Sequence, residues 1–491
     1  MLLYASFLVP LLAALFAVVA KDVRALERSA VVASVTAATG LGALAVRVFV
    51  QGPVWVGDGW MVDRFAALMV VLIQVVWVGA AFASVRYIGA EYAAGLLSAR
   101  KVRIYYGLLP LFALAMIVTV TTDHLGVLWI ALEATTLTTT PLVALYKKDG
   151  AIEAAWKYLL LCSLGISVSL LGLLLLAYAG IGAGLPLDRA FSIGALRGRA
   201  TALDPQVVRW AFVFLFVGIG TKVGFVPMHP WLPDAHSRTP SPVSACLSGV
   251  LLNVALYALL RGKAVVDLAL GQDRWTSGFF VGFGLLSILF AAFVLLHQQN
   301  YKRMLAYHSV EHMGLIAFAV GMGPIGAAGA VVHMIGHTLA KSALFFTAGE
   351  ILLRTHTTKI ANITALWRTA PRTSLAFMLG FLGLIGMPTS IIFSSELTFL
   401  VAAARRSPGA AIAVIVGLAI VPVGVLHHLF AMLFSRGPTT NRSPATHEPF
   451  TVIHAVVAVE LVLLFAGGVF FLSTPGFEWA ASVARDFTVW P

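Results

Sequence analysis

Val217-Gly218-Ile219-Gly220-Thr221-Lys222-Val223-Gly224-Phe225-Val226-Pro227 is an apolar stretch with a single ammonium group in its middle. A helix through it carries Lys222 to bilayer depth. A charge there costs about 3 kcal/mol or more unless it is paired, neutralised or hydrated, so ionisable groups kept inside a membrane generally mark a transport path. Glu133, Lys341 and Glu396 stand in comparable apolar surroundings. Two acids and two lysines inside helices imply a chain that moves a charge.

The rest of the composition agrees. Of 491 residues, 60% are hydrophobic and 11% charged, whereas soluble domains carry about 25% charged residues. A spanning helix needs about 20 apolar residues. The sequence reads as an all-α polytopic membrane protein, one transmembrane domain over 1–491. About fourteen spans have cores at 2–20, 30–50, 64–86, 104–121, 125–146, 155–180, 208–227, 243–261, 276–298, 304–322, 325–353, 373–402, 409–434 and 451–472. The eleventh and twelfth are too long for straight helices and should tilt, kink or break. Met1-Leu2-Leu3-Tyr4 offers no basic leader, so the first span reads as one of the series rather than a signal peptide. Cys162 and Cys246 lie far apart in apolar spans and read as packing residues.

The net charge of +12 does not gather into a nucleic-acid patch. Loops after odd-numbered spans hold 18 Lys/Arg, among them Lys147, Lys148, Arg436 and Arg442, against 10 on the other side. The positive-inside rule then places both termini outside a cell's inner (cytoplasmic) membrane. The longest connections, 181–207, 354–372 and 435–450, leave no room for a soluble domain, so chemistry needing one belongs to a partner chain. No phosphate-cradling glycine loop, His-Glu-x-x-His or cysteine cluster is present. No cofactor or metal is therefore expected, and ATP hydrolysis or electron transfer by this chain is unsupported. His427-His428 are sequence neighbours whose rings leave a helix on different faces, a weak metal signal.

Two helices should be interrupted. Pro227, Pro230, Pro233, Pro240 and Pro242 follow Lys222, and proline removes a backbone donor and clashes with the preceding turn. Leu384-Ile385-Gly386-Met387-Pro388-Thr389-Ser390 interrupts the twelfth span ahead of Glu396. Paired interruptions point to inverted repeats. Glu133 precedes Lys222 by 89 residues and Glu311 precedes Glu396 by 85. Five-helix repeats over 104–261 and 276–434, flanked by the first three spans and the last, place those pairs equivalently.

The candidates divide by chemistry. Glu133 is followed by Thr135, Thr136, Thr138, Thr139 and Thr140, hydroxyls suited to water or helix contacts. Burial disfavours the ionised form of Glu133 or Lys222 and an opposite partner favours it, so moving the partner switches the proton. The rival readings are a static ion pair for Glu133 and a lysine capping free carbonyls for Lys222. His333, His337 and Lys341 fall at i, i+4 and i+8, one helix face about 12 Å long, and read as a proton relay. Glu396 reads as the outlet. Glu311-His312 is a second-tier candidate, placed near the headgroups, and Asp234 and His236 follow the first break near its cytoplasmic entrance.

These segments resemble the antiporter-like proton-pumping subunits of respiratory complex I, Mrp antiporters and membrane-bound hydrogenases. The resemblance covers most of the chain. Trp129–Thr136, Ile152–Cys162, Leu203–Leu256 and Tyr301–Leu315 are most similar to the hydrogenase-4 F component, and the block containing GTKVGFVPMHPWLPDAHSRTPSPVSACLSG is specific to the superfamily. It implies fourteen core helices in two inverted five-helix repeats, with the seventh and twelfth broken. It also implies a coupled acid–lysine pair at Glu133 and Lys222, a central lysine at Lys341 with His333 and His337 on the polar axis, and a terminal charge at Glu396. Some members carry a lysine on the eighth helix where this chain has Asn253, and the usual Gly-x-Pro-Pro appears as Gly386-Met387-Pro388-Thr389. The chain stops soon after the fourteenth span, without the lateral helix of the most distal complex I pump.

The leading expectation is a proton-translocating membrane subunit driven by a partner module. That module would be hydrogenase- or formate-type, or a zinc protein for inorganic-carbon uptake, alongside other membrane subunits. A stand-alone sodium–proton antiporter is the alternative, although no oxygen cluster for sodium is visible. A haem-bearing cytochrome using His333 or His337 is the third reading.

Overall fold

The computed structural model describes residues 2–57, 59–146, 149–435 and 448–488. Lys147, Lys148, Arg436 and Arg442, counted above for orientation, lie outside them. The chain is helical throughout: α1 (Leu2–Val19), α2 (Val23–Gln51), α3 (Arg64–Ala93), α4 (Ala99–Thr121), α5 (Leu125–Val143), α6 (Asp149–Gly182), α7 (Ile193–Gly198), α8 (Pro205–Val223), α9 (Trp231–Arg238) and α10 (Ser241–Cys246). A π-helical turn (Leu247–Leu251) joins α10 to α11 (Leu252–Leu270). Then come α12 (Arg274–Leu295), α13 (Tyr301–Gly321), α14 (Pro324–Thr355), α15 (Leu366–Thr369), α16 (Pro371–Leu384), α17 (Ile391–Arg406), α18 (Pro408–Phe434), α19 (Val452–Phe471) and α20 (Thr474–Ala484). Two short antiparallel strands, β1 (Val54–Trp55) and β2 (Met61–Val62), close the loop before α3.

Eleven helical segments among the described residues are long and apolar enough to cross a membrane, and the protein is a multi-pass membrane protein. Three expected spans miss that measure for physical reasons. α13 and α14 give up hydropathy to buried His, Glu and Lys side chains, while α16 and α17, at 14 and 16 residues, are halves of one interrupted segment. The length of the eleventh span called for a tilt, kink or break; of these the break is absent, since α14 is one uninterrupted helix of 32 residues, about 48 Å at the helical rise. It is the hub, packed against α3, α10, α13, α16, α17 and α19. The wall helices carry exposed apolar residues such as Leu160, Leu164, Ile412, Val423 and Val462, the lipid-facing stripe expected of outer spans.

Both interruptions expected from the sequence are present, and each is sealed by side chains. α8 stops at Gly224, whose φ of +88° is left-handed. Trp231 Nε1 then donates to the Thr221 carbonyl (2.8 Å), and the Val226 amide donates to Ser287 Oγ of α12 (3.0 Å). Unpaired backbone is tolerated at membrane depth only when protein or water satisfies it; here protein does. The second break turns at Gly386 (φ +75°) and Thr389 (φ +80°), and Ser390 caps α17 by accepting from the Phe393 amide.

Glycine sets how near Lys222 comes to its neighbours. A Cβ on Gly218 would lie 2.5 Å from both the Gly165 carbonyl oxygen and the Ser169 nitrogen, so the α6 and α8 backbones touch. At one end of the bundle a buried ion pair joins Arg261 to Asp63, the N-cap of α3, at 2.6 Å. Asp486, beyond the last span, accepts from the Phe65 amide beside it (3.0 Å).

Gly218→Val should force α6 and α8 apart, costing about 1–3 kcal/mol or more, read as a lower melting temperature in detergent against the mild change given by Gly42→Val, whose Cβ meets nothing. Burial and the neighbouring Asp63 carboxylate push the Asp486 carboxyl up from 3.8 to about 6. Its proton is held more tightly in the folded state, so this contribution to stability is present at low pH and lost as pH rises through about 6. The fall in melting temperature between about pH 5 and about pH 7.5 should therefore shrink in Asp486→Asn.

A buried polar axis as the candidate functional site

Lys222 sits in the last turn of α8, fully buried, where the helix dipole favours a cation. Its ammonium donates to Thr136 Oγ1 and to the Leu132 carbonyl (3.3 Å), both on α5. Thr136 Oγ1 in turn donates to Glu133 Oε2 (3.3 Å), and Ser163 Oγ of α6 donates to Glu133 Oε1 (2.5 Å). Glu133 and Lys222 are thus joined through a hydroxyl rather than by a direct ion pair. The other threonines do something different: Thr135, Thr138, Thr139 and Thr140 all bond α5's own carbonyls. Glu133 is only half-buried, at a flank where Ile130, Leu137, Leu160 and Leu164 face outward.

The middle of the axis lies on α14. Asn253 follows the π-helical turn and donates to Thr338 Oγ1 (3.0 Å) and the Met334 carbonyl (3.3 Å); such turns inside α-helices recur at functional sites. Lys341 is wholly buried and donates to the Leu305 carbonyl of α13 (2.6 Å). Like Lys222, it bonds a neutral oxygen and has no carboxylate in contact among the described residues. Of the other buried lysines, Lys263 pairs directly with Asp267, and Lys302, in the first turn of α13, donates to the Thr239 carbonyl (2.6 Å).

Beyond Lys341 the axis becomes a histidine cluster. The rings of His312 and His333 lie 5.0 Å apart, those of His312 and His337 5.5 Å, and those of His308 and His312 5.1 Å. Ser395 Oγ donates to the Ile392 carbonyl (2.6 Å), so it accepts from His333 Nδ1 (2.8 Å). A neutral imidazole has one donor and one acceptor nitrogen, so His333 Nε2 accepts from His312 Nδ1 (2.7 Å). Glu396 lies on α17 against the second break; a Cβ on Gly386 would be 2.3 Å from its Oε2.

Two expectations need correction. Glu311 and His312, placed near the headgroups, are buried in the middle of α13 within the histidine cluster. Their neighbours His333 and His337 on α14 come from a different helix, which is why local hydropathy misjudged their burial. Asp234 faces the surface and pairs with Lys157 (3.3 Å) and Arg303 (3.2 Å), whereas His236 is buried and stacked on Phe345. Thr136 was named only as one of five threonines after Glu133, and Ser163, His308 and Ser395 were not singled out. Only His308 carried a signal, its i, i+4 spacing to His312; the others are ordinary hydroxyls until helices meet.

Residues 122–421 match the profile of the family described as NADH:quinone oxidoreductase/Mrp antiporter, TM. The chain belongs to this family. It is 35% identical over 418 residues to a hydrogenase-4 component F homolog of Methylacidiphilum infernorum, covering 84% of this chain and 86% of that protein. It is 30% identical over 381 residues to NADH-quinone oxidoreductase subunit N of Desulforudis audaxviator, covering 75% and 73%. Among solved structures, a chain of an archaeal membrane-bound sulfane sulfur reductase superposes with a TM-score of 0.86 at 23% identity, covering 99% of this chain and 97% of that one. A chain of the Mrp complex from Dietzia gives 0.83 at 21%, also covering 99% and 97%. A chain of Thermus thermophilus complex I gives 0.75 at 23%, covering 99% and 100%. At those identities the superpositions speak for the fold.

Thr136→Val keeps the side chain's shape but removes the oxygen between Lys222 and Glu133. It should cost about 1–3 kcal/mol by leaving a buried ammonium under-satisfied, read as loss of melting temperature, while Thr136→Ser stays near wild type.

Proposed function

We propose that this family member is a proton-translocating membrane subunit of a complex I-like or hydrogenase-type assembly, with Glu133, Lys222, Asn253, Lys341, His337, His312, His333 and Glu396 as its path. One observation carries the reading: Lys222 and Lys341, in line with the acid and the histidines of the axis, are held only by neutral oxygens. An ammonium in a tight salt bridge cannot lose its proton without stranding its partner's charge. One bonded to a hydroxyl or carbonyl becomes an amine that still donates the same bond.

A proton taken up near Glu133 and Thr136 moves onto Lys222, crosses the α11–α14 seam at Asn253 and Thr338, and reaches Lys341. The imidazoles hand it on by taking it at one nitrogen and releasing it at the other, with Glu396 as the exit group beside the second break. Each transfer is a local switch of protonation, so access from the two sides must alternate or the gradient leaks. Nitrogen bases dominate the lysine and histidine segments, whereas sodium needs clustered oxygens, which favours protons.

The half-buried Glu133 flank is where a neighbouring membrane subunit would act on the switch. Its partner module is hydrogenase- or formate-type, in line with the hydrogenase-4 relative; a zinc protein for inorganic carbon is the other candidate. We place the chain in the cytoplasmic membrane with both termini outside. Its fourteen spans would be built from inverted repeats over 104–261 and 276–434, with Glu133 matched to Glu311 and Lys222 to Glu396.

Lys222→Ala and Glu133→Gln should each lower proton uptake by energised membrane vesicles at least about tenfold, the loss of one essential transfer step, with co-purifying subunits unchanged. Near-normal uptake in either variant, with the complex intact, would remove the pair from the path.

A further inference from the structure

His308, Glu311 and His312 occupy one face of a single turn of α13, all buried, and one ligand-capable atom from each lies within 4.8 Å of the other two. The environment leaves those atoms unusually bare. His333 and Ser395 oblige His312 to carry its proton on Nδ1, so its Nε2 is a free lone pair 3.7 Å from Glu311 Oε2. Glu311 Oε2 has His308 Nδ1 at 2.8 Å, and neither histidine gains a further hydrogen-bond partner on these faces. His337, whose ring is 5.5 Å from that of His312, has both nitrogens without partners. Two acceptors facing each other in a dry core repel unless something electropositive lies between them.

We infer that His308, Glu311 and His312 form a binding site for a divalent transition-metal ion of the zinc type, with His337 or water as the fourth ligand. Two imidazoles and a carboxylate suit zinc, whereas calcium and magnesium take oxygen sets. Residues at i, i+3 and i+4 share a helix face, so α13 presents the three donors pre-arranged. The His312 Nδ1 bond to His333 is the outer-shell contact that orients a ligating imidazole. Entry of the ion displaces the proton shared by His308 and Glu311. Coordination of His312 Nε2 occupies the nitrogen that would accept a relay proton, so the occupied site is a brake on the path. Metal binding is read independently of proton movement, so this inference and the proposed function can fail separately.

The full-length chain, purified in detergent and stripped with chelator, is titrated with Zn2+ and separately with Co2+. Wild type should hold one equivalent of Zn2+ and show the intense visible bands of four-coordinate cobalt. His312→Gln and Glu311→Gln should abolish both, and His333→Gln should weaken binding about 10–100-fold as an outer-shell loss. His427→Ala is the control and should bind as wild type does. Melting curves without metal establish that each variant is folded. Equal Zn2+ binding by folded His312→Gln, or a Co2+ spectrum of the hydrated six-coordinate ion in wild type, would overturn the assignment.

Discussion

Two lysine ammonium groups buried in a helical bundle, each bonded only to neutral oxygens, set the terms for the rest of this structure. Both are fully buried and no carboxylate among the described residues touches them, so their charge is stabilised by carbonyls, a threonine hydroxyl and a helix C-terminus. That environment holds a proton without locking it in. The contrast with Arg261–Asp63 and Lys263–Asp267 is internal to the molecule. Those pairs are closed: Arg261–Asp63 ties α11 to the start of α3, and Lys263–Asp267 lies within one face of α11.

Keeping such groups in place requires irregular backbone, and the fold confines it to where protein can satisfy it. The first break brings α8 to an end just past Lys222 and is sealed by Trp231 and Ser287. The second lays the Glu396 carboxylate over Gly386, where a side chain would collide. Between them α14 stays unbroken and presents Thr338, Lys341, His333 and His337 along its length. A rigid hub with two broken flanks lets the ends of the axis respond to their surroundings while the middle stays aligned.

The polar contacts also rank the residues differently from their charge. Thr136, an uncharged residue, joins the acid to the lysine, and Ser395 determines which nitrogens of two histidines carry protons. Asp234, a charged residue in a recognisable motif, serves a surface ion cluster. Hydrogen-bond geometry, more than formal charge, separates the path from its scaffold.

Much of this was legible in the chain. Long apolar runs declare a membrane protein, and Lys222, Lys341 and Glu396 announce themselves because a charge inside such a run is costly whatever its partners. Prolines after Lys222 and the Gly386–Ser390 segment located both breaks, since the missing amide and the positive φ are local properties. Depth and partnership were not local. Glu311 and His312 fall near a span boundary by hydropathy, yet both are buried, with α14 against His312, and Glu133, equally apolar in its surroundings, is left half open because no described helix lies over its flank. One-dimensional sequence records the cost of burying a group; which hydroxyl, carbonyl or imidazole compensates that cost is decided only when separate helices are packed together.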